Sequence, residues 1–150
     1  MKKSVGFDFD GVIHIDVGPT DNYGQRHPLI SLDKIPKNKF TKIIDLIKIY
    51  KIHNYIIYII TARPSKYKNI IKETLINFGI FNNIIPYENI ICTGDVGGDK
   101  INTLYTLEIN DFYDDSILHI NAVKKYRNKL INLKNCYMTV PENNKIYKII

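Results

Sequence analysis

The chain has 150 residues, 45% of them hydrophobic, enough for one soluble domain with its own core and too few for a second of ordinary size. No apolar run approaches the roughly 20 residues that span a bilayer, and Met1-Lys2-Lys3 leads into too short an apolar stretch for a signal peptide, so a cytoplasmic location is expected. The net charge of +6 would admit a polyanionic partner, but lysine far outnumbers arginine and Ile, Asn and Tyr abound, the bias of an AT-rich genome, so charge alone does not make a nucleic-acid binder.

In chain order, Ser4 to Phe9 alternates apolar residues and reads as a strand entering a turn at Gly11. Residues 13–39 hold Gly, Pro, Asp and His without apolar period and read as a long, irregular excursion loop of the kind that is usually functional. Helical spacing follows from Phe40 to Tyr50, a continuous apolar strand from Tyr55 to Ile60, and a helix from Tyr67 to Phe78 stopped by Gly79. A short strand at Asn89–Cys92 leads through the Gly-rich turn Gly94–Gly98 into a helix from Lys100 to Leu107. The remainder reads as a strand up to Tyr113, a helix from Ser116 to Leu130 and a last strand at Cys136–Val140. This alternation predicts an α/β fold, a Rossmann-like open parallel sheet of about five strands with helices on both faces. Cys92 and Cys136 give no disulfide framework and are read as reduced and structural.

Ligands of such sheets bind beyond the carboxyl ends of the strands, and the polar punctuation falls there. Asp8 and Asp10 end the first strand, Thr61-Ala62-Arg63 the second, and Asp114-Asp115 the fourth. Strand periodicity puts Asp8 and Asp10 on one face, where two carboxylates repel unless a cation or a shared proton relieves them. A divalent metal is the expected relief. Thr61, with nearby backbone N–H groups, suits phosphoryl oxygens, and Arg63 is placed either to clamp them or to face a surface acid. Lys100, after Gly97-Gly98-Asp99, offers a point charge at a helix start.

Asp8-Phe9-Asp10-Gly11-Val12, Ile59-Ile60-Thr61-Ala62-Arg63-Pro64, Lys100 and Phe112-Tyr113-Asp114-Asp115-Ser116 resemble, in order, the four motifs of the haloacid dehalogenase (HAD)-like superfamily of phosphohydrolases. The resemblance implies a Mg²⁺-dependent phosphatase that hydrolyses a phosphate monoester through an aspartyl-phosphate. It makes Asp8 the nucleophile, Asp10 the general acid and then base, and Lys100 the charge stabiliser. Thr61, Ala62, Arg63 and Lys100 would bind phosphate, and Asp8, Asp114, Asp115 and the backbone carbonyl of Asp10 would hold the metal. Gly94-Asp95-Val96-Gly97-Gly98-Asp99 resembles a variant of the fourth motif and competes with Asp114-Asp115; it would deprive Lys100 of its place before the acidic motif. His14, Asp16, Arg26 and His27 are placed to line the site from the loop, whereas His119 is expected to pack or cap locally.

The family takes its specificity from cap insertions, and residues 13–39 are too short for a full cap domain, so an open site on a single domain spanning 1–150 is expected. Such a site suits a phosphate presented by a bulky partner such as a nucleic-acid end or a phosphoprotein, whereas a phosphorylated small molecule would need the loop to close over it and exclude water. A 3′-phosphatase acting on nucleic-acid ends and a non-catalytic phosphate-binding module are the alternatives, and a homo-oligomer is compatible with the composition.

Overall fold

A computed structural model describes residues 2–15, 17–20, 22, 26–28, 35 and 41–150, with the backbone alone for 18–20 and 26–28. In order the elements are β1 (Ser4–Phe7), β2 (Val17–Thr20), β3 (Arg26–Pro28), α1 (Ile43–Ile52), β4 (Ile56–Thr61), α2 (Lys68–Asn77), β5 (Ile90–Cys92), α3 (Ile101–Thr106), β6 (Asp111–Asp114), α4 (Ile117–Lys125), β7 (Asn135–Val140) and β8 (Lys145–Lys148). One sheet runs in the order β5-β4-β1-β6-β7-β8, with every neighbouring pair parallel except β7 and β8. The architecture is therefore α/β with a mostly parallel sheet, compatible with a Rossmann-like fold.

Side-chain alternation along the strands builds the two cores. Ile57 and Ile59 of β4 join Val5, Phe7, Ile47 of α1 and Leu75 of α2 in one buried cluster. Ile60, one residue on, joins Phe112, Leu104 of α3 and Val123 of α4 in the other. Helices thus cover both faces, and each fully buried isoleucine or phenylalanine contributes about 1.5–3 kcal/mol of transfer free energy. Strands apolar on both faces need that double cover.

The first strand ends at Phe7 rather than Phe9, which leaves Asp8 and Asp10 beyond it, and the first helix starts at Ile43; three further differences are larger. The expected five parallel strands are present, but Lys145–Lys148 adds a sixth, antiparallel edge with Tyr137 opposite Lys148 and Val140 opposite Lys145. Its Lys-Ile-Tyr-Lys composition hid it. Only Ile146 packs on the core, and the strand exists because β7 offers it a hydrogen-bonding edge. The last helix ends at Lys125 rather than Leu130, and turns carry the chain on to buried Leu130. The excursion is not wholly irregular, because β2 and β3 pair as an antiparallel ribbon with Thr20 opposite Arg26.

At the neck of the excursion Thr41 Oγ1 donates to the Val12 carbonyl at 2.6 Å and accepts the Ile43 N–H at 3.1 Å. One side chain thereby closes the loop base and starts α1. No helix among the described residues is long and apolar enough to cross a membrane.

Candidate active site

The strand order reverses at β1, and the parallel register brings three carboxyl ends side by side: Phe7 lies opposite Ile59 of β4 and Tyr113 of β6. Asp8, Thr61 and Asp114 consequently emerge at one edge of the sheet, the crevice such folds use for ligands. The Asp8 N–H still donates to the Tyr113 carbonyl at 2.9 Å, one step beyond β1. The chain then turns, with the Ile13 N–H on the Phe9 carbonyl at 2.9 Å and Phe9 buried in the core. Gly11 makes the turn at φ +78°, and a methyl group there would strike the Asp115 carboxylate. Only glycine meets both conditions.

Lys100 joins the two ends of the acidic cluster. Its side chain is 3% exposed, and Nζ lies 3.0 Å from Asp8 Oδ1 and 2.7 Å from Asp114 Oδ2. Asp114 Oδ2 also faces His119 Nδ1 at 2.9 Å, and Oδ1 accepts the Ser116 N–H at 2.9 Å, so Oδ2 is shared by two donors while Oδ1 has one. Burial would raise the Asp114 pKa, but the charges of Lys100 and His119 outweigh it and hold this carboxyl well below the usual range. Burial likewise opposes charge on Lys100, and Asp114 and Asp8 overcome it, raising the ammonium pKa.

Asp8 and Asp115 are shifted the opposite way to Asp114. Burial and then the Asp114 carboxylate push Asp8 up to about 6 in spite of Lys100. Asp115, hydrogen-bonded to Asp8, is pushed up to about 9 by burial and by the charges of Asp8 and Asp114. Asp115 thus relieves the crowding by holding a proton at neutral pH, and a cation beside Asp8 and Asp115 would take over that relief. Asp8, Asp114 and His119 bring one donor atom each within 4.8 Å of one another. The carboxylate oxygens of Asp8 and Asp114 suit Mg²⁺, whereas the His119 nitrogen, already against Asp114, is not a donor of that hard kind.

Arg63 and Asp10 differ from their expected roles in this arrangement. The Arg63 guanidinium neither faces outward nor opens to a phosphate: Nε and Nη2 donate to the two Asp10 oxygens at 2.7 and 2.9 Å. This bidentate pair forms because the guanidinium is buried and Asp10 is the carboxylate it meets. His14 Nε2 adds a contact to Asp10 Oδ1 at 3.0 Å. Burial would raise the Asp10 pKa, yet the hydrogen bonds of His14 and Arg63 lower it overall. Asp10 is thus held ionised, where its expected role as general acid needs a proton.

Thr61 is buried, and its Oγ1 accepts the Arg63 N–H at 3.2 Å. The Gly-rich turn lies against this loop so closely that a Cβ on Gly94 would stand 2.5 Å from the Ala62 carbonyl oxygen and 2.4 Å from the Pro64 nitrogen. That packing accounts for the rival acidic segment. Asp95 is exposed and accepts the Ser65 N–H at 3.1 Å, while Asp99 accepts the Ile101 N–H at 2.9 Å at the start of α3. Both therefore serve the turn and the helix start.

Asp8, Asp10, Thr61, Ala62, Arg63, Lys100 and Asp115 all face a cavity of about 820 Å³ that runs back between α3 and α4 to Phe112. Val17 of β2 reaches its mouth, so the excursion does contribute to the site; Asp16 and the side chains of Arg26 and His27 lie outside the described residues. His119 is the residue that sequence reasoning undervalued. Its signal was spacing: four and five residues after Asp115 and Asp114, a helical side chain returns over the strand end it left. Cys92 and Cys136 are both free thiols.

Comparison with known proteins adds a fold and a relative. No protein-family model matches the chain. The uncharacterized protein L684 of Acanthamoeba polyphaga mimivirus is 39% identical over 146 residues, covering 95% of this chain and 28% of that protein. The chain thus spans little more than a quarter of the curated relative's length. Among solved structures, DsGPDH of Dunaliella salina superposes with a TM-score of 0.54 at 14% identity, over 83% of this chain and 22% of that one. Likeness at that identity shows the fold alone, and it agrees with the α/β sheet.

Proposed function

We propose that the chain is a HAD-like, Mg²⁺-dependent phosphatase that cleaves a phosphate monoester through an aspartyl-phosphate on Asp8. One observation carries this reading: a buried carboxylate at the end of the central strand, held by Lys100, facing a cavity and crowded by Asp114 and Asp115. A pocket that only bound phosphate would gain nothing from carboxylates aimed at an anion. That consideration disfavours the non-catalytic alternative.

In the proposed reaction an Asp8 oxygen attacks phosphorus as the bond to the leaving oxygen breaks, and the leaving oxygen takes a proton. Water then attacks the aspartyl-phosphate, gives up a proton, and releases inorganic phosphate with the Asp8 carboxylate restored. Lys100, fixed between Asp8 and Asp114, keeps positive charge beside the nucleophile throughout. Ionised Asp10 is suited to take the proton of the attacking water. To deliver that proton to the next leaving group it must hold it, which requires Arg63 to release the carboxylate. Asp8, Asp114 and Asp115 would hold Mg²⁺, which supplies positive charge to the phosphoryl oxygens.

The test is phosphate release at neutral pH, with and without Mg²⁺, from sugar phosphates, nucleotides, a phosphopeptide and 3′-phosphorylated oligonucleotides, beside Asp8→Asn. Metal-dependent turnover lost in the variant supports the proposal. Equal inertness of both proteins across the panel, with Mg²⁺ still bound, would favour the binding module.

A further inference from the structure

Lys100, Arg63 and Lys66 line the cavity, and they are not equivalent. Lys100 is spent on Asp8 and Asp114, and Arg63 is clamped to Asp10. Lys66, in the turn Ser65–Tyr67 between β4 and α2, is exposed and has no acidic partner among the described residues. It is held instead by an aromatic ring: Nζ lies 5.3 Å from the centroid of Tyr67, the ring that also carries the Arg63 guanidinium at 4.8 Å. Tyr67 itself faces the cavity, so the ring links the cation beside Asp10 to the cation at the rim.

The same pairing recurs one step outward. Lys68 lies 4.2 Å over the ring of Tyr87, whose hydroxyl donates to Asn69 Oδ1 at 3.1 Å, and Lys68 too has no acidic partner among the described residues. The opposing charges nearby are Asp95, whose carboxylate accepts the Ser65 N–H, and Asp99, which lines the cavity and accepts the Ile101 N–H. Two lysines, each seated on a tyrosine and each without an acid, therefore lead away from the cavity mouth along the start of α2.

We propose that Lys66 is a specificity-determining residue that binds a second phosphate of the substrate, adjacent to the one transferred at Asp8. The inference rests on the phosphatase reading and narrows its substrate class to phosphomonoesters carrying a further phosphate. Two sources share that chemistry: the phosphodiester next to the end of a nucleic-acid strand, and the second group of a small bisphosphate. An exposed ammonium that lines the cavity and has no acidic partner among the described residues favours an anion at that position. Lys68 does not line the cavity, so contact with it would mark a ligand longer than a small molecule.

The test measures kcat and KM of the full chain with Mg²⁺ on p-nitrophenyl phosphate, a sugar bisphosphate beside its monophosphate, and a 3′-phosphorylated oligonucleotide. Lys66→Gln is expected to raise KM for the substrates with a second phosphate about fivefold relative to p-nitrophenyl phosphate, and Lys66→Arg to restore it. Sensitivity to Lys68→Gln with a steep salt dependence assigns the nucleic-acid source; sensitivity to Lys66→Gln alone assigns the small bisphosphate. Equal KM changes on every substrate, or none on any, would overturn the inference while leaving the phosphatase reading intact. Undiminished turnover by Asp8→Asn would instead remove the reading beneath it. Affinity of the Asp8→Asn protein for the oligonucleotide, with and without Lys66→Gln, reads the same contact without turnover.

Discussion

Asp111 and Asp114 open and close the same four-residue strand, and both are buried, yet they live in opposite kinds of surroundings. Asp111 accepts from neutral donors, the Tyr50 hydroxyl at 2.9 Å and the Asn135 amide at 2.8 Å. Around it Tyr50 and Tyr113 share a hydrogen bond at 2.8 Å, and Tyr113 stacks between Phe7 and Tyr137. Burial keeps both phenols protonated, with pKa values raised well above the ordinary one. Asp114 takes Lys100 and His119 and stands among further carboxylates. One end of β6 is surrounded by neutral hydrogen-bond donors; the other crowds several carboxylates around Lys100. Structural polar networks close on themselves, and a site is recognisable by crowded charge and strongly shifted pKa values.

That contrast can be broken at the site end most severely. Asp8→Asn should cost about a thousandfold or more in turnover, measured as phosphate release, while the melting temperature stays level or rises because one of three crowded carboxylates is gone. Lys100→Met removes the ammonium that the cluster shares and leaves buried carboxylates unpaired. Urea unfolding should show a loss of about 3–5 kcal/mol. A variant as stable as the native chain would mean that the cluster carries less charge than the geometry implies.

Mg²⁺ sharpens the comparison by acting on one end alone. At about one hundred times its dissociation constant it should stabilise the protein by about 2.7 kcal/mol, read as a rise in melting temperature. Asp115→Asn should abolish most of that rise, and Tyr50→Phe should leave it intact. The latter removes a hydroxyl from the Asp111 network and should cost about 1–3 kcal/mol of stability, with turnover retained. Turnover falling with Tyr50→Phe would show that the two ends of the sheet are coupled. The smallest effect is expected from Asp99→Ala, about 1 kcal/mol for the lost bond to the Ile101 N–H, with Mg²⁺ affinity preserved. A collapse of that affinity in a titration would transfer the metal acids to Asp95 and Asp99.

Much of this molecule was legible from local pattern. Strand periods of two and helix periods near four depend on neighbours in the chain, so Ile56–Thr61, Lys68–Asn77 and the ends carrying Asp8, Thr61 and Asp114 follow from the residues themselves. The Gly-rich turn before Lys100 was legible for the same reason. What local pattern cannot decide is which distant partner a charged group meets. Arg63 suited a phosphate or a surface acid equally well, and only packing against Asp10 selected its partner 53 residues away. His119 was indistinguishable from a surface histidine until α4 brought it over Asp114, and β8 became a strand only because β7 offered a free edge. The sequence by itself determined where the acids, the lysine and the strand ends stand along the chain. The tertiary structure decided which of those charges neutralise one another, because electrostatic pairing in a buried site depends on distance and desolvation that no stretch of sequence contains.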